Sequence, residues 1–274
     1  MIMPVRVNGK AIQRNILRSL RERVAGVGVP PRIAIFHAAS DIVSSLYVKK
    51  KISFAAAAGV PVHAEDISRR TPEEIKERIG EYARDPLYRG IVVQLPLPPR
   101  AAADTEEIID AIPAEKDIDI LSDRTLALFE KGATERIPPV AGAIREIFRF
   151  HDVSLRDKNI VIMGRGRLVG RGVAAWLRRD GHTPVVLDKE SRRKREYVAD
   201  ADILISGTGV PGLITPEMVK KGAILIDAGM AEKDGRMAGD IDTACFARAS
   251  LYAPATGGVG PVAIAILFDN LLKK

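Results

Sequence analysis

The sequence predicts an α/β protein of two domains, the second a Rossmann-type doubly wound parallel sheet. Strand-length apolar runs alternate with helix-length stretches along all 274 residues, the pattern that puts helices on both faces of a parallel sheet. A glycine-rich turn, Gly164-Arg165-Gly166-Arg167-Leu168-Val169-Gly170, directly follows the apolar run from Ile160 to Met163. About 160 residues precede that turn, enough for a separate domain of ordinary size.

Each element has a local reason. Ile12, Ile16, Leu17, Leu20 and Val24 recur at helical spacing, and residues 43–58 also read as helix. Arg32-Ile33-Ala34-Ile35-Phe36 and Val60-Pro61-Val62-His63 read as strands. Thr71-Pro72-Glu73-Glu74 combines an N-cap, a proline suited to the first helical turn and a capping-box acid. Gly90-Ile91-Val92-Val93-Gln94 is a buried strand stopped by Pro96, Pro98 and Pro99. A second series follows: a helix over 141–151, strands at 159–163 and near 184–187, 202–206 and 223–227, and an apolar helix over 262–272. The expected partition is 1–139 for the first domain, joined by a C-terminal helix 261–274, and 140–260 for the dinucleotide-binding domain.

Composition narrows the class of partner. Forty-two basic against 35 acidic residues leave a formal charge of +7, which suits an anionic ligand or serves solubility alone. Aromatics are 5% and the basic residues are dispersed, so nucleic acid is not expected. No apolar run approaches the roughly 20 residues of a membrane span, and the first residues lack a signal-peptide pattern. The single cysteine, Cys245, and the absence of metal-ligand spacing point to a reducing cytoplasm and no metal site.

The glycine turn is what a dinucleotide pyrophosphate requires: backbone that approaches without a Cβ, and amides at a helix N-terminus. A plain structural loop is the alternative. The candidate dinucleotide-binding residues are Gly164, Arg165, Gly166, Arg167, Val169, Gly170, Asp188, Thr208 and Gly209. In the first domain Val43, Leu46, Tyr47, Phe54, Ala55 and Ala58 share a helical face with Lys51, while Lys49 and Lys50 point away or sit on its edge. A lysine in such a stripe either snorkels to water or is held in a partly dry cleft for use. Desolvation and the two neighbouring cations would lower its pKa toward that of a proton carrier. Gln94 ends a buried strand, where open sheets place ligands or simply stop. In Lys116-Asp117-Ile118-Asp119, either a solvated turn or a site, Asp119 is the carboxylate expected to turn inward. Thr256-Gly257-Gly258-Val259-Gly260-Pro261 exposes consecutive amides before a helix, or acts as a hinge.

Taken together these residues resemble one family. Tyr47-x-x-x-Lys51, Gln94-Leu95-Pro96-Leu97-Pro98, Lys116-Asp117-Ile118-Asp119, the glycine turn, Gly239-Asp240 and Gly257-Gly258-Val259-Gly260-Pro261 occur in the order seen in methylenetetrahydrofolate dehydrogenase/methenyltetrahydrofolate cyclohydrolases. Val7-Asn8-Gly9-Lys10-Ala11-Ile12 is similar to that family's opening, so the resemblance runs from about residue 7 to 272. It implies an active-site cleft between a folate-binding catalytic domain and the dinucleotide domain. It implies hydride transfer from 5,10-methylenetetrahydrofolate to NAD(P), then hydrolysis of the methenyl product to 10-formyltetrahydrofolate. By the same resemblance Lys51 is the proton shuttle and Gln94 orients it. Tyr47 packs on the folate, Asp119 anchors the pterin, and the backbone of Gly257, Gly258, Val259, Gly260 and Pro261 covers the substrate. A homodimer is also implied.

Several positions depart from the pattern: Gly166 stands for serine, Gly172 for proline, Ile120 for glycine, Pro138-Pro139-Val140-Ala141 for Pro-Cys-Thr-Pro, and Pro254-Ala255-Thr256 for Pro-Val-Pro. Asp188 and Glu190 favour NAD by repelling a 2′-phosphate; Arg165, Arg192 and Arg193 and the family's usual habit favour NADP. Two other readings compete: another two-domain dehydrogenase of the shikimate type, and a folate- or nucleotide-binding homologue with impaired catalysis.

Overall fold

The computed structural model describes residues 3–38, 42–233 and 236–273. In chain order the elements are β1 (Val5–Arg6), α1 (Gly9–Ala25), β2 (Arg32–His37), α2 (Ile42–Ala58), β3 (Val62–Asp66), α3 (Pro72–Arg84), β4 (Tyr88–Val93), α4 (Thr105–Asp110), α5 (Asp123–Glu130) and α6 (Pro139–Phe150). They continue as β5 (Ile160–Met163), α7 (Gly172–Arg179), β6 (Val185–Leu187), α8 (Lys194–Asp200), β7 (Ile203–Ser206), β8 (Ile224–Asp227), β9 (Ala231–Lys233), β10 (Arg236–Ala238), β11 (Leu251–Ala253) and α9 (Val259–Asn270). The chain forms two compact units. One holds Asn15–Ile137 and the chain from Ile264 onward; the other holds Pro138–Ala263 and the segment ending at Arg14.

The first unit is built on three parallel strands in the order β3-β2-β4. Successive strand residues point to opposite faces, and both faces are apolar here. Ile33, Ile35 and Val92 pack with Leu20 and Val24 of α1, Val48, Phe54 and Ala55 of α2, Leu267 and Phe268 of α9, and Leu271 just after it. Ala34, Phe36, Ile91 and Val93 pack instead with Ile75 and Ile79 of α3 and Ile108 of α4. Helices on both sides explain why these strands read as continuous apolar runs rather than alternating ones. The capping box at Thr71 forms as the sequence predicts: the Glu74 amide donates to Thr71 Oγ1 at 3.3 Å, and the Thr71 amide to Glu74 Oε2 at 2.8 Å.

The second unit carries a six-stranded sheet in the order β1-β11-β8-β7-β5-β6, all neighbours parallel, with a separate antiparallel hairpin β9-β10. Strand order reverses beside β5, because β6 lies on one side of it and β7, β8 and β11 on the other. Ligands of open α/β sheets sit at the carboxyl ends of strands at such a switch point. Met163 is in register with Leu187 and with Ser206, and Ser206 with Asp227. The residues that leave these ends are therefore Gly164, Asp188, Gly207 and Ala228.

Three expectations are corrected. Residues up to Arg14 do not join the first unit, because Val5 and Arg6 pair with Leu251 and Tyr252 at the edge of the six-stranded sheet. A two-residue strand has no periodicity to read. The strand expected at 60–63 starts at Val62 and runs to Asp66, since Pro61 has no N–H for the ladder and serves only as acceptor for the Ile33 amide. The last helix begins at Val259, three residues early, so Val259, Gly260 and Pro261 form its first turn instead of preceding it. Proline is well tolerated there.

Candidate active site

The first unit delivers Lys51, Gln94 and Asp119 from three different segments. Lys51 lies in the middle of α2 on the face of Ser44, Val48, Ala55 and Ala58, and only 8% of it is exposed. Lys49 and Lys50 are exposed, so its immediate polar partners are not those two cations but an amide and a carboxylate. The Lys51 ammonium donates to Gln94 Oε1 at 3.0 Å and lies 3.7 Å from Asp119 Oδ2. Gln94 follows β4 directly, its backbone amide still in the ladder with Phe36 O. Its side-chain Nε2 donates to Leu95 O at 3.0 Å, which turns Oε1 toward the lysine. The position of Val43 on the same helix lies outside the described side chains.

Asp119 sits on a loop that is knotted from inside. Asp117, fully buried, accepts from the Leu121 and Ser122 amides and from Ser122 Oγ at 2.9 Å; Ser122 in turn caps α5. This corrects the expectation that Asp119 is the inward carboxylate: Asp117 is the deeper one, and Asp119 keeps 16% side-chain exposure while facing Lys51. Burial pushes the Asp119 carboxyl above the usual range; the Lys51 ammonium opposes that shift and the Asp117 charge adds to it. The next residue, Ile120, is buried and adopts φ +52°, a conformation that β-branched residues avoid. Tyr47, one helical turn before Lys51, packs against the core shared by α1, α2 and α9, and burial pushes its phenol up.

In the second unit the glycine turn leaves β5 with Gly164 at φ +103°. A Cβ on Gly164 would come within 2.6 Å of Gly207 O, and one on Gly170 would collide with Gly164 O. The chain then makes a wide turn, Arg167–Arg171, in which the Arg171 amide reaches Gly166 O at 3.1 Å; such turns recur at functional sites. A Cβ on Gly166 or on Gly209 would meet nothing within 4 Å. Tightly packed glycines behind and open ones in front make a cradle that fits a dinucleotide. Gly172 leaves room for Pro138, whose Cβ would be 2.7 Å from an added Cβ.

Asp188 leaves β6 beside this turn. Ser191 Oγ donates to its Oδ1 at 2.8 Å and Arg165 Nε lies 3.1 Å from Oδ2; these partners, Ser191 first, hold the carboxyl below its usual range. Arg193 pairs with Glu196. Gly257, at φ +83°, accepts from the Gly9 amide; the Gly258 amide is taken by Pro254 O, and Pro261 O accepts from Gln13 Nε2. The structure thus brings Tyr47, Lys51, Gln94 and Asp119 together in one unit. The glycine turn, Asp188, Thr208, Gly209 and Gly257–Pro261 lie in the other. Sequence reading passed over Asp227 and gave no role to Asp240, two buried carboxylates at the carboxyl end of the six-stranded sheet. The available signal was an aspartate closing the apolar run Ile224-Leu225-Ile226.

Among the described residues no cluster of histidine, cysteine and acidic side chains could hold a metal ion, and no helix is long and apolar enough to cross a membrane.

A doubly wound sheet with a glycine-rich turn at its switch point, in one chain with a buried lysine held between an amide and a carboxylate, places the protein in the dinucleotide-binding α/β class. A family model described as the catalytic domain of tetrahydrofolate dehydrogenase/cyclohydrolase matches residues 7–119, and the NAD(P)-binding domain of the same family matches residues 138–274. The chain belongs to the tetrahydrofolate dehydrogenase/cyclohydrolase family. It is 32% identical to the bifunctional protein FolD of Dechloromonas aromatica, over 97% of this chain and 95% of that one. The structure of the Trypanosoma brucei methylenetetrahydrofolate dehydrogenase-cyclohydrolase, complexed with NADP and an inhibitor, superposes with a TM-score of 0.91 at 29% identity, covering 99% of this chain and 97% of that one. The Campylobacter jejuni bifunctional enzyme gives 0.88 at 28% identity, covering 97% and 96%. The protein is a bifunctional dehydrogenase and cyclohydrolase of one-carbon metabolism that uses NAD(P) and a tetrahydrofolate substrate. None of these findings supports the shikimate-type or the impaired reading.

Proposed function

We propose that Lys51 moves the protons of the cyclohydrolase half-reaction, on the strength of one observation: its buried ammonium is held 3.0 Å from Gln94 Oε1 and 3.7 Å from Asp119. The dehydrogenase converts 5,10-methylenetetrahydrofolate to the methenyl cation, and bound NAD(P) supplies the hydride acceptor. The cyclohydrolase adds water to that cation and opens the ring to 10-formyltetrahydrofolate. In its neutral form Lys51 takes one proton of the attacking water and returns it to the nitrogen that leaves as the C–N bond breaks, while the remaining hydroxyl proton is released to solvent as the formyl carbonyl forms. A neutral amine beside a cationic intermediate avoids like-charge repulsion. Gln94 fixes the amine's direction by accepting one of its hydrogens.

Asp119 accepts hydrogen bonds from the donor edge of the pterin, and Tyr47 offers its ring to the folate. The backbone of Gly257, Gly258, Val259, Gly260 and Pro261 covers the substrate. Gly164, Arg165, Gly166, Arg167, Val169 and Gly170 hold the pyrophosphate, with Asp188 toward the adenosine ribose and Thr208 and Gly209 on the adjacent strand end. A homodimer in the cytoplasm completes the reading, supported by family resemblance and by a single, buried cysteine. The test is Lys51→Met, followed by the ultraviolet absorbance of the methenyl compound. Hydrolysis is expected to fall to the uncatalysed rate, and hydrolysis at the parent rate removes Lys51 from the mechanism.

A further inference from the structure

The carboxyl end of the six-stranded sheet holds a network that the reaction described above does not use. Asp240, only 1% exposed, lies just past β10. Its Oδ2 accepts from Ser206 Oγ, the last residue of β7, and from the backbone amide of Thr208, both at 2.6 Å. Its Oδ1 has no hydrogen-bond partner among the described residues. Asp227, which ends β8, accepts from the amides of Gly229, Asp240 and Ile241. That anchors the backbone of Asp240 to the neighbouring strand. Both carboxylates need glycine beside them: a Cβ on Gly229 would strike the Asp240 carboxylate, and one on Gly239 the Asp227 carboxylate.

One peptide plane links this network to the glycine turn. The N–H and C=O of a trans peptide point in opposite directions. In the Gly207–Thr208 peptide the N–H is taken by Asp240, and the carbonyl, Gly207 O, abuts Gly164 at the distance where an added Cβ would be 2.6 Å away. On the same side, Gly207 leaves no room for a Cβ beside Val169. An acceptor buried behind β7 therefore determines which way the Gly207 carbonyl faces, and that carbonyl forms the floor under Gly164.

We propose that Asp240 is a positioning residue for dinucleotide binding, orienting the Gly207–Thr208 peptide so that it supports the Gly164–Gly170 turn. This rests on the reading of that turn and of Thr208-Gly209 as the dinucleotide site. Without the acceptor, the peptide is free to rotate and the floor of the cradle is lost.

The test titrates NAD and NADP into the purified protein calorimetrically and measures KM for dinucleotide and for folate. Asp240→Ala is expected to weaken dinucleotide binding at least tenfold and to raise the dinucleotide KM in parallel, with the folate KM changed less than twofold. Asp240→Asn keeps an acceptor oxygen and is expected to restore binding to within about threefold of the parent. Binding by Asp240→Ala at the parent affinity overturns the proposal, as does equal loss by the alanine and asparagine variants. Amide hydrogen exchange on the unmodified protein gives a reading that does not depend on any variant folding. Thr208 is expected to be protected, and exchange at the rate of an exposed loop overturns the proposal. Unmodified protein that takes up neither dinucleotide refutes the site assignment itself, and the positioning role with it.

Discussion

The Lys51 ammonium meets the Gln94 side-chain carbonyl at 3.0 Å, joining the middle of α2 to the end of β4 inside an otherwise apolar layer. The Gln94 amide nitrogen is occupied by Leu95 O, so the glutamine cannot rotate without losing two bonds at once.

Gln94→Leu keeps the side chain's bulk and removes the acceptor. A hydrogen bond to a charged donor is worth about 1.5–3 kcal/mol, and each 1.4 kcal/mol is tenfold in rate. Hydrolysis of the methenyl compound is expected to slow by roughly 10- to 100-fold, read from the decay of its absorbance. An unchanged rate would mean that the bond seen here does not orient the amine during turnover.

Burial raises the Asp119 carboxyl, so it takes up a proton at a higher pH than an ordinary aspartate does. The charged acceptor is present above that raised pKa and is lost as pH falls through it. The KM for the folate substrate is expected to rise on acidification in the parent. In Asp119→Asn it should be high and nearly flat with pH. Superimposable KM profiles for the two proteins would argue against a role for this carboxylate in substrate anchoring.

Asp227 is raised to about 7, chiefly by burial, with the Asp240 charge adding to the shift against the amides that donate to it. A carboxyl whose folded pKa lies above its unfolded value binds its proton more tightly when folded. Its contribution to stability is complete below the unfolded pKa of about 4 and is lost as pH climbs through about 7. Between those limits the parent is expected to lose up to about 1.4 kcal/mol per pH unit relative to Asp227→Asn. Urea denaturation of both proteins at several pH values measures the difference, and parallel profiles would refute it.

Ile120 occupies φ +52° and is 4% exposed, so its packing holds a backbone that its β-branched side chain resists. At an ordinary site alanine is more stable than glycine by about 0.4–1 kcal/mol. In the left-handed region an L side chain costs roughly 1–2 kcal/mol, which reverses that order. Ile120→Gly is expected to be more stable than Ile120→Ala by about 0.5–1 kcal/mol in thermal or urea unfolding. The opposite ranking would show that the backbone relaxes at this position.

Much of this architecture was legible in the chain because its causes are local. The capping box at Thr71, the proline stop after Gln94 and the glycines after Met163 act within a few residues of one another, and each appears where the residues require it. The candidate residues of the site could also be named from their motifs. Gln94 was already expected beside Lys51 from the family resemblance, but the second partner was not: residue spacing set Lys51 against Lys49 and Lys50, and the carboxylate it meets is Asp119. Asp117 looked like a solvated charge, yet it organises the loop that presents Asp119.

By itself, then, the order of residues determined most of the helices and strands around the candidate site, where the glycine-rich turn lies, and to which family the chain belongs. Those properties follow from periodicity, capping and backbone freedom over short stretches. Only the tertiary structure decided that β1 closes the edge of the second sheet, that Asp240 reaches back to Thr208, and that the Asp119 carboxylate lies beside the buried amine. Such pairings depend on strand register and on which faces pack together, and these are set by the burial of whole apolar layers.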